Sequence, residues 1–177
     1  MKLNKRKIII LIIISFLLSG CSIYNPYNFI MPDDVEFIQV VESLDTPLKI
    51  VQYMFFNFEY EYQAIGVKTP YQLWKIKKGD CNDSSNWVRV LGNYHGYTTY
   101  QIRMILKGIN HWLGVFDIDG ELFYTDNQFY CVNPYKSFED IVKFYCIVYQ
   151  KELIKYQVYD YDMNIIKEGD LTEKCQL

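Results

Sequence analysis

Histidine is scarce in this chain of 177 residues: His95 and His111 are the only two, and no pair among the five cysteines stands as C-x-x-C. That shortage excludes the ligand spacings of structural zinc sites. The acids in Asp117-Ile118-Asp119-Gly120-Glu121 lack the twelve-residue ligand set of a calcium loop and read as a hairpin turn. No metal or other cofactor is therefore expected. An excess of basic residues is missing too, since 18 Lys and Arg stand against 21 Asp and Glu for a net charge of −3. A nucleic-acid partner has no electrostatic footprint here. Internal repeats and low-complexity blocks are also absent, and the length suits one domain better than two.

What the chain does have begins at its N-terminus. Lys2, Lys5, Arg6 and Lys7 form a basic start, Ile8 to Leu18 is an apolar run broken only by Ser15, and small residues lead to Cys21. The run is too short for a permanent bilayer span and reads as an export signal. Leu18-Ser19-Gly20-Cys21 resembles the lipobox of bacterial lipoproteins. That resemblance implies a signal peptide over 1–20, lipidation of Cys21, and an extracytoplasmic protein anchored to a bacterial membrane. An uncleaved N-terminal anchor is the alternative. Losing the signal removes four positive charges and takes the net charge from −3 to −7. Residues 21–31, with Asn25-Pro26-Tyr27-Asn28 and no apolar period, read as a tether, which leaves 32–177 as the domain.

Periodicity divides that domain in two. Pro32-Asp33-Asp34 opens a helix with Val35, Ile38, Val41 and Leu44 on its apolar face. Thr46-Pro47 opens a second helix through about Phe58, and Thr69-Pro70 a short third one carrying Leu73 and Trp74. Asp80 caps a central helix from about Cys81 to Tyr94, ending before Gly96, with His95 at its C-terminal end. Its first turns carry the small polar residues Ser84, Ser85 and Asn86, which let a sheet approach closely. Alternation then takes over: Tyr100, Ile102, Met104 and Leu106 mark a strand, Lys107-Gly108 a turn, and Ile109 to Ile118 a second strand. Asp119-Gly120 is a strong hairpin signal leading into a third strand, Glu121 to Asp126. Ser137-Phe138-Glu139-Asp140 has the form of a helix start. Cys146 to Tyr149, Ile154 to Tyr161 and a run near Ile165 read as further strands, with Tyr156, Tyr159 and Tyr161 half-exposed. The fold class is α+β, with N-terminal helices and a central helix packed on an antiparallel sheet.

Chemistry concentrates in three stretches: Gly79-Asp80-Cys81-Asn82-Asp83, Asn110-His111-Trp112 and Tyr124-Thr125-Asp126-Asn127. With Asp119 and Gly120 as the turn, Ile118 faces Glu121, Leu113 faces Asp126 and His111 faces Gln128. His111 and Asp126 then share a sheet face as diagonal neighbours. A Cys at a helix start, a His and an Asp are the parts of a thiol nucleophile, its base and the group orienting that base. Asp83 is expected to cap or pair near the helix start.

These motifs, in this order from about Thr69 to Asn127, resemble the transglutaminase-like superfamily, relatives of papain-like cysteine peptidases. The match covers roughly a third of the chain. It departs at Ser84-Ser85-Asn86, where relatives more often carry an aromatic and small apolar residues. The resemblance implies a Cys81–His111–Asp126 triad acting on a peptide or protein amide through an acyl-thioester. It also implies an oxyanion contact from the segment before the nucleophile, where Gln72 and Trp74 are the candidates. Water as acceptor makes the protein a hydrolase, that is, a cysteine peptidase (thiol protease) or amidase of the cell envelope. An amine acceptor makes it a protein-glutamine acyltransferase. A catalytically inactive surface binding module is the rival class, and an envelope protein in which the triad residues only pack is a third. Trp74 and Trp112 are candidates to wall a peptide groove; Trp87 is considered with them but reads rather as core, on the buried stripe of the central helix. Among Cys131, Cys146 and Cys175 at most one bridge can form, and Cys146 reads as a buried small hydrophobe.

Overall fold

The computed structural model describes residues 27–170. Asp34 caps helix α1 (Val35–Ser43) by accepting from the Phe37 N–H. Its buried stripe is Phe37, Val41 and Leu44. Val35, expected on that stripe, is 65% exposed. It stands two residues before Phe37, roughly 200° around the helix. Thr46 caps α2 (Pro47–Asn57), and Pro47 occupies the first position where no N–H is needed. Strand β1 (Glu59–Tyr60) follows, then α3 (Pro70–Ile76) and β2 (Lys78–Gly79), which pairs with β1 in parallel. This two-stranded ribbon has no signal in the sequence. It brings Tyr60 and the residues after it alongside the start of α4 (Cys81–Tyr94).

The remaining elements are β3 (Thr98–Leu106), β4 (Ile109–Ile118), β5 (Glu121–Asp126), β6 (Phe129–Tyr130), α5 (Phe138–Tyr149), β7 (Leu153–Tyr159) and β8 (Ile165–Gly169). The strands form one sheet in the order β6-β5-β4-β3-β7-β8, with every neighbouring pair antiparallel. Asp119 and Gly120 make a two-residue turn with φ of 55° and 81°, and Ile118 pairs with Glu121 as the sequence requires. The described chain is thus mixed α+β, with five helices and a six-stranded antiparallel sheet.

Alternation along the strands gives the sheet two covered faces. Ile102, Met104, Leu113, Val115 and Tyr124 pack against Ile141, Val142, Tyr145 and Cys146 of α5. On the opposite face α4 crosses β3, β4 and β5, and joins α1 to α3 in a second core around Trp87 and Phe116. Gly114 allows that crossing, since a Cβ there would stand 2.8 Å from the Val88 side chain.

Three further expectations change. Cys146 to Tyr149, read as a strand, is the last turn of α5. Burial of Ile141, Val142, Tyr145 and Cys146 follows helical spacing, and a short continuous apolar run cannot by itself separate the two periods. Tyr156 is buried, not half-exposed, and its hydroxyl donates to Glu139 at 2.7 Å. Residues 27–31, expected as tether, pack on the domain: Phe29 and Met31 join the α1–α4 core, and Arg89 donates to the Tyr27 carbonyl at 2.7 Å. Cys21 and Cys175 lie outside the described residues. No disulfide joins Cys81, Cys131 and Cys146.

Candidate active site

The position of Cys81 is built by its neighbours in sequence. Asp80 caps α4 by accepting from the N–H groups of Asn82, at 2.9 Å, and Asp83, at 3.2 Å. Asp83 answers by accepting from the Asp80 N–H at 3.1 Å, which completes a capping box. The buried Asp83 carboxylate also receives Gln63 Nε2 at 2.7 Å and Lys68 Nζ at 3.0 Å. The loop before α3 is thereby tied to the first turn of the helix. Gly79 leaves room for this network: a Cβ there would stand 2.8 Å from the Asp83 carboxylate and 2.7 Å from Leu73. Gly-Asp-Cys-x-Asp therefore reads as one device that fixes Cys81 at the N-terminus of a buried helix.

Two of the polar residues that follow, Ser85 and Asn86, find side-chain partners. Ser85 accepts from Gln101 Nε2 at 2.6 Å, and Asn86 donates to the Lys68 carbonyl at 2.9 Å. Asn86 also accepts from Nε and Nη2 of the fully buried Arg89. Arg89 donates in addition to the carbonyls of Tyr161 and Tyr27. Ser85 and Asn86, within the departure at Ser84-Ser85-Asn86, thus belong to a hydrogen-bonded seam between α4, β3 and both ends of the described chain.

His111 Nε2 donates to Asp126 Oδ1 at 2.8 Å, and the two side chains are 12% and 11% exposed. Burial disfavours a charged ring there. Hydrogen bonds of the ring to Asp126 and Cys81, with the electrostatic attraction of the two, outweigh it and raise the His111 pKa to about 9. With Nε2 held by Asp126, Nδ1 is the nitrogen left for the thiol. The structure thus brings Cys81, His111 and Asp126 together from α4, β4 and β5. Tyr145 stacks on the imidazole with centroids 5.2 Å apart. Asp126 also accepts from Asn127 Nδ2 at 3.1 Å and interacts with the Tyr149 hydroxyl.

A cleft of about 830 Å³ opens at Cys81. Its other walls come from the Tyr62–Gly66 loop and from Arg103, Asn110 and Trp112 on the sheet. Of Trp74 and Trp112, expected as groove walls, only Trp112 lines it. Trp87 is fully buried, stacked with Tyr53, and Trp74 packs against Phe37 and Tyr71. Trp74 is a core residue and does not line the cleft. Gln72 does not line it either, and its side-chain carbonyl accepts from the Thr69 N–H at 2.9 Å in the capping box of α3. Both were proposed from position alone, and local capping and core packing claimed them.

Tyr145, Tyr149 and Gln63 were not anticipated. The two tyrosines are four residues apart on one face of a helix, a signal hidden by reading that run as a strand. His95 caps the end of α4 and meets the Val41 carbonyl at 2.8 Å, and Asp117 accepts from the Gly120 N–H within the hairpin turn. Among the described residues no cluster of His, Cys, Asp or Glu could hold a metal ion. None of the described helices is long and apolar enough to cross a membrane.

No protein-family model matches this chain, and no curated protein matches it.

Proposed function

We propose that this protein is a cysteine hydrolase of the transglutaminase-like type, a peptidase or amidase held outside the cytoplasm by a lipid on Cys21. The observation that carries the reading is the Cys81–His111–Asp126 constellation, with a buried, hydrogen-bonded imidazole between thiol and carboxylate beside an open cleft. His111, with its pKa raised to about 9, carries the proton that a leaving amine needs.

In the reaction the Cys81 sulfur attacks the amide carbon and forms a C–S bond. The carbonyl π electrons move to oxygen. The Asn82 and Asp83 amides already donate to Asp80, which leaves the Cys81 N–H as the first-turn donor for that oxyanion. On collapse the C–N bond breaks, His111 delivers its proton to the departing amine, and an acyl-thioester remains on Cys81. Water, deprotonated by His111, then attacks the thioester and restores the thiolate and imidazolium. Asp126 keeps the ring oriented and stabilises its charged form throughout.

The test is mass-spectrometric mapping of alkylation by iodoacetamide at about pH 6, where an ordinary thiol reacts slowly. Cys81 is expected to react at least about tenfold faster than Cys81 in the His111→Ala variant. Equal rates in the two proteins would remove the base from the reading and leave a binding module with this architecture. Anchoring is tested separately: Cys21→Ser should release the protein from membranes or leave it unprocessed. A processed, membrane-bound Cys21→Ser protein would contradict the lipid assignment.

A further inference from the structure

Two arginines on the α4 side of the sheet are treated in opposite ways. Arg89 has all three of its nitrogens bonded to protein oxygens. Arg103 lines the cleft that contains Cys81, its Nε is buried with no hydrogen-bond partner, and none of the ion pairs among the described residues includes it. A guanidinium that lines a cleft and has no protein anion beside it fits an anionic partner that comes from outside.

The guanidinium is also held in place. Arg103 pairs across β3 with Trp112 on β4 and with Gln157 on β7. Its guanidinium carbon stands 5.8 Å from the Trp112 ring, and that indole packs on Tyr159 with centroids 5.3 Å apart. A planar cation resting on an aromatic face keeps its N–H edge available for a planar anion, and a carboxylate matches that edge with two parallel hydrogen bonds. Asp80 is the one carboxylate among the residues lining this cleft, and it is occupied by the Asn82 and Asp83 amides of its own helix.

We propose that Arg103, braced on Trp112, binds a carboxylate of the substrate, so that the amide presented to Cys81 lies close to a free acid group in the same molecule. Two sources supply that chemistry: the C-terminal carboxylate of a peptide, or an acidic side chain beside the scissile bond. The proposal rests on the cysteine-hydrolase reading and names its substrate class.

Two reagents of nearly equal size test it. Iodoacetate carries the carboxylate and iodoacetamide its neutral amide, and both alkylate Cys81. The quantity read is the ratio of their rates at one ionic strength in the wild type, Arg103→Gln and Arg103→Lys. The ratio is expected to fall about tenfold in Arg103→Gln, corresponding to about 1.4 kcal/mol, and to recover partly in Arg103→Lys. An unchanged ratio in a folded Arg103→Gln protein overturns the proposal while leaving the hydrolase reading intact. Slow reaction with both reagents in the wild type overturns the hydrolase reading and this one with it.

A second measurement needs no variant. Acetylated dipeptides are added as protectants against iodoacetamide, with free-acid and amide C-termini in one arm and Glu and Gln side chains in the other. Stronger protection by the acid member of either pair supports the proposal and identifies the source of the carboxylate. Equal protection by acid and amide in both arms overturns it.

Discussion

His111 and Asp126 are joined by a 2.8 Å hydrogen bond just beyond the point where their strands stop pairing, since the β4–β5 ladder ends at Gly114 and Thr125. The imidazole and carboxylate therefore join β4 to β5 beyond the last backbone pair between them, while His111 stays paired with Met104 and Asp126 with Phe129 on the other side of each strand. Replacing Asp126 by Asn keeps the shape and removes the charge. The His111 pKa should then fall from about 9, and alkylation of Cys81 should slow by on the order of tenfold or more. Ring proton chemical shifts followed against pH read the first effect directly. A titration that does not move would show that Asp126 is not what holds the proton.

The same elevation makes folding stability depend on pH in a defined direction. A histidine near 6.5 when unfolded and about 9 when folded binds its proton more tightly in the native state. Its stabilising contribution is fully present below about pH 6.5 and is lost as pH rises through about 9. Because thiol, ring and carboxylate interact, the midpoint belongs to the set rather than to His111 alone. The stability advantage of the wild type over His111→Gln should shrink by about 3 kcal/mol between those limits. Urea unfolding of both proteins across the range measures it. An advantage that grows with pH would contradict the assignment.

Much of this site could be read before the fold was known, because its determinants are local. Asp119-Gly120 sets the register that puts His111 and Asp126 on one face, and Asp80 marks the start of the helix that carries Cys81. What escaped the sequence is what other elements contribute. Tyr145 reaches His111 from α5, whose last turn resembles a strand in composition, and Gln63 and Lys68 reach Asp83 from a loop without periodicity. Gln72 and Trp74 lie in the right stretch for an oxyanion contact, yet capping and core burial use them first. Proximity in sequence to a nucleophile does not say which way a helix turns its side chains.

The capping network under Cys81 should be costly to disturb. Asp83→Ala would leave the 14%-exposed Lys68 ammonium without its partner and the Gln63 and Asp80 donors unsatisfied. A loss of about 3 kcal/mol is expected from breaking such a pair. Gly79→Ala pushes against the same carboxylate and should cost about 1–3 kcal/mol. Since both changes act on one group, the double variant should lose clearly less than the two losses added together. Denaturation midpoints of the four proteins test this. Strict additivity would mean that Gly79 serves some purpose other than making room for Asp83.

The final prediction separates the hairpin tip from the strand end that carries the carboxylate. Leu122 and Tyr124 are buried against the α5 side of the sheet, and Leu122 bridges to Tyr135. A one-residue slip of β5 would turn both side chains out of that core. A glycine inserted after Gly120 should therefore be absorbed at the tip as a bulge, with the Gly114–Thr125 pairing kept and Cys81 alkylation within about threefold of the wild type. A glycine inserted between Thr125 and Asp126 has no such outlet. It displaces the carboxylate from His111 while leaving the buried part of β5 in place, and alkylation should fall by on the order of a hundredfold from misorientation alone. Circular dichroism confirms folding, cross-strand proton contacts report the register, and alkylation rates compare the two insertions. Equal rates in two folded proteins would mean that Asp126 does not orient His111, and the triad would reduce to a thiol and a histidine.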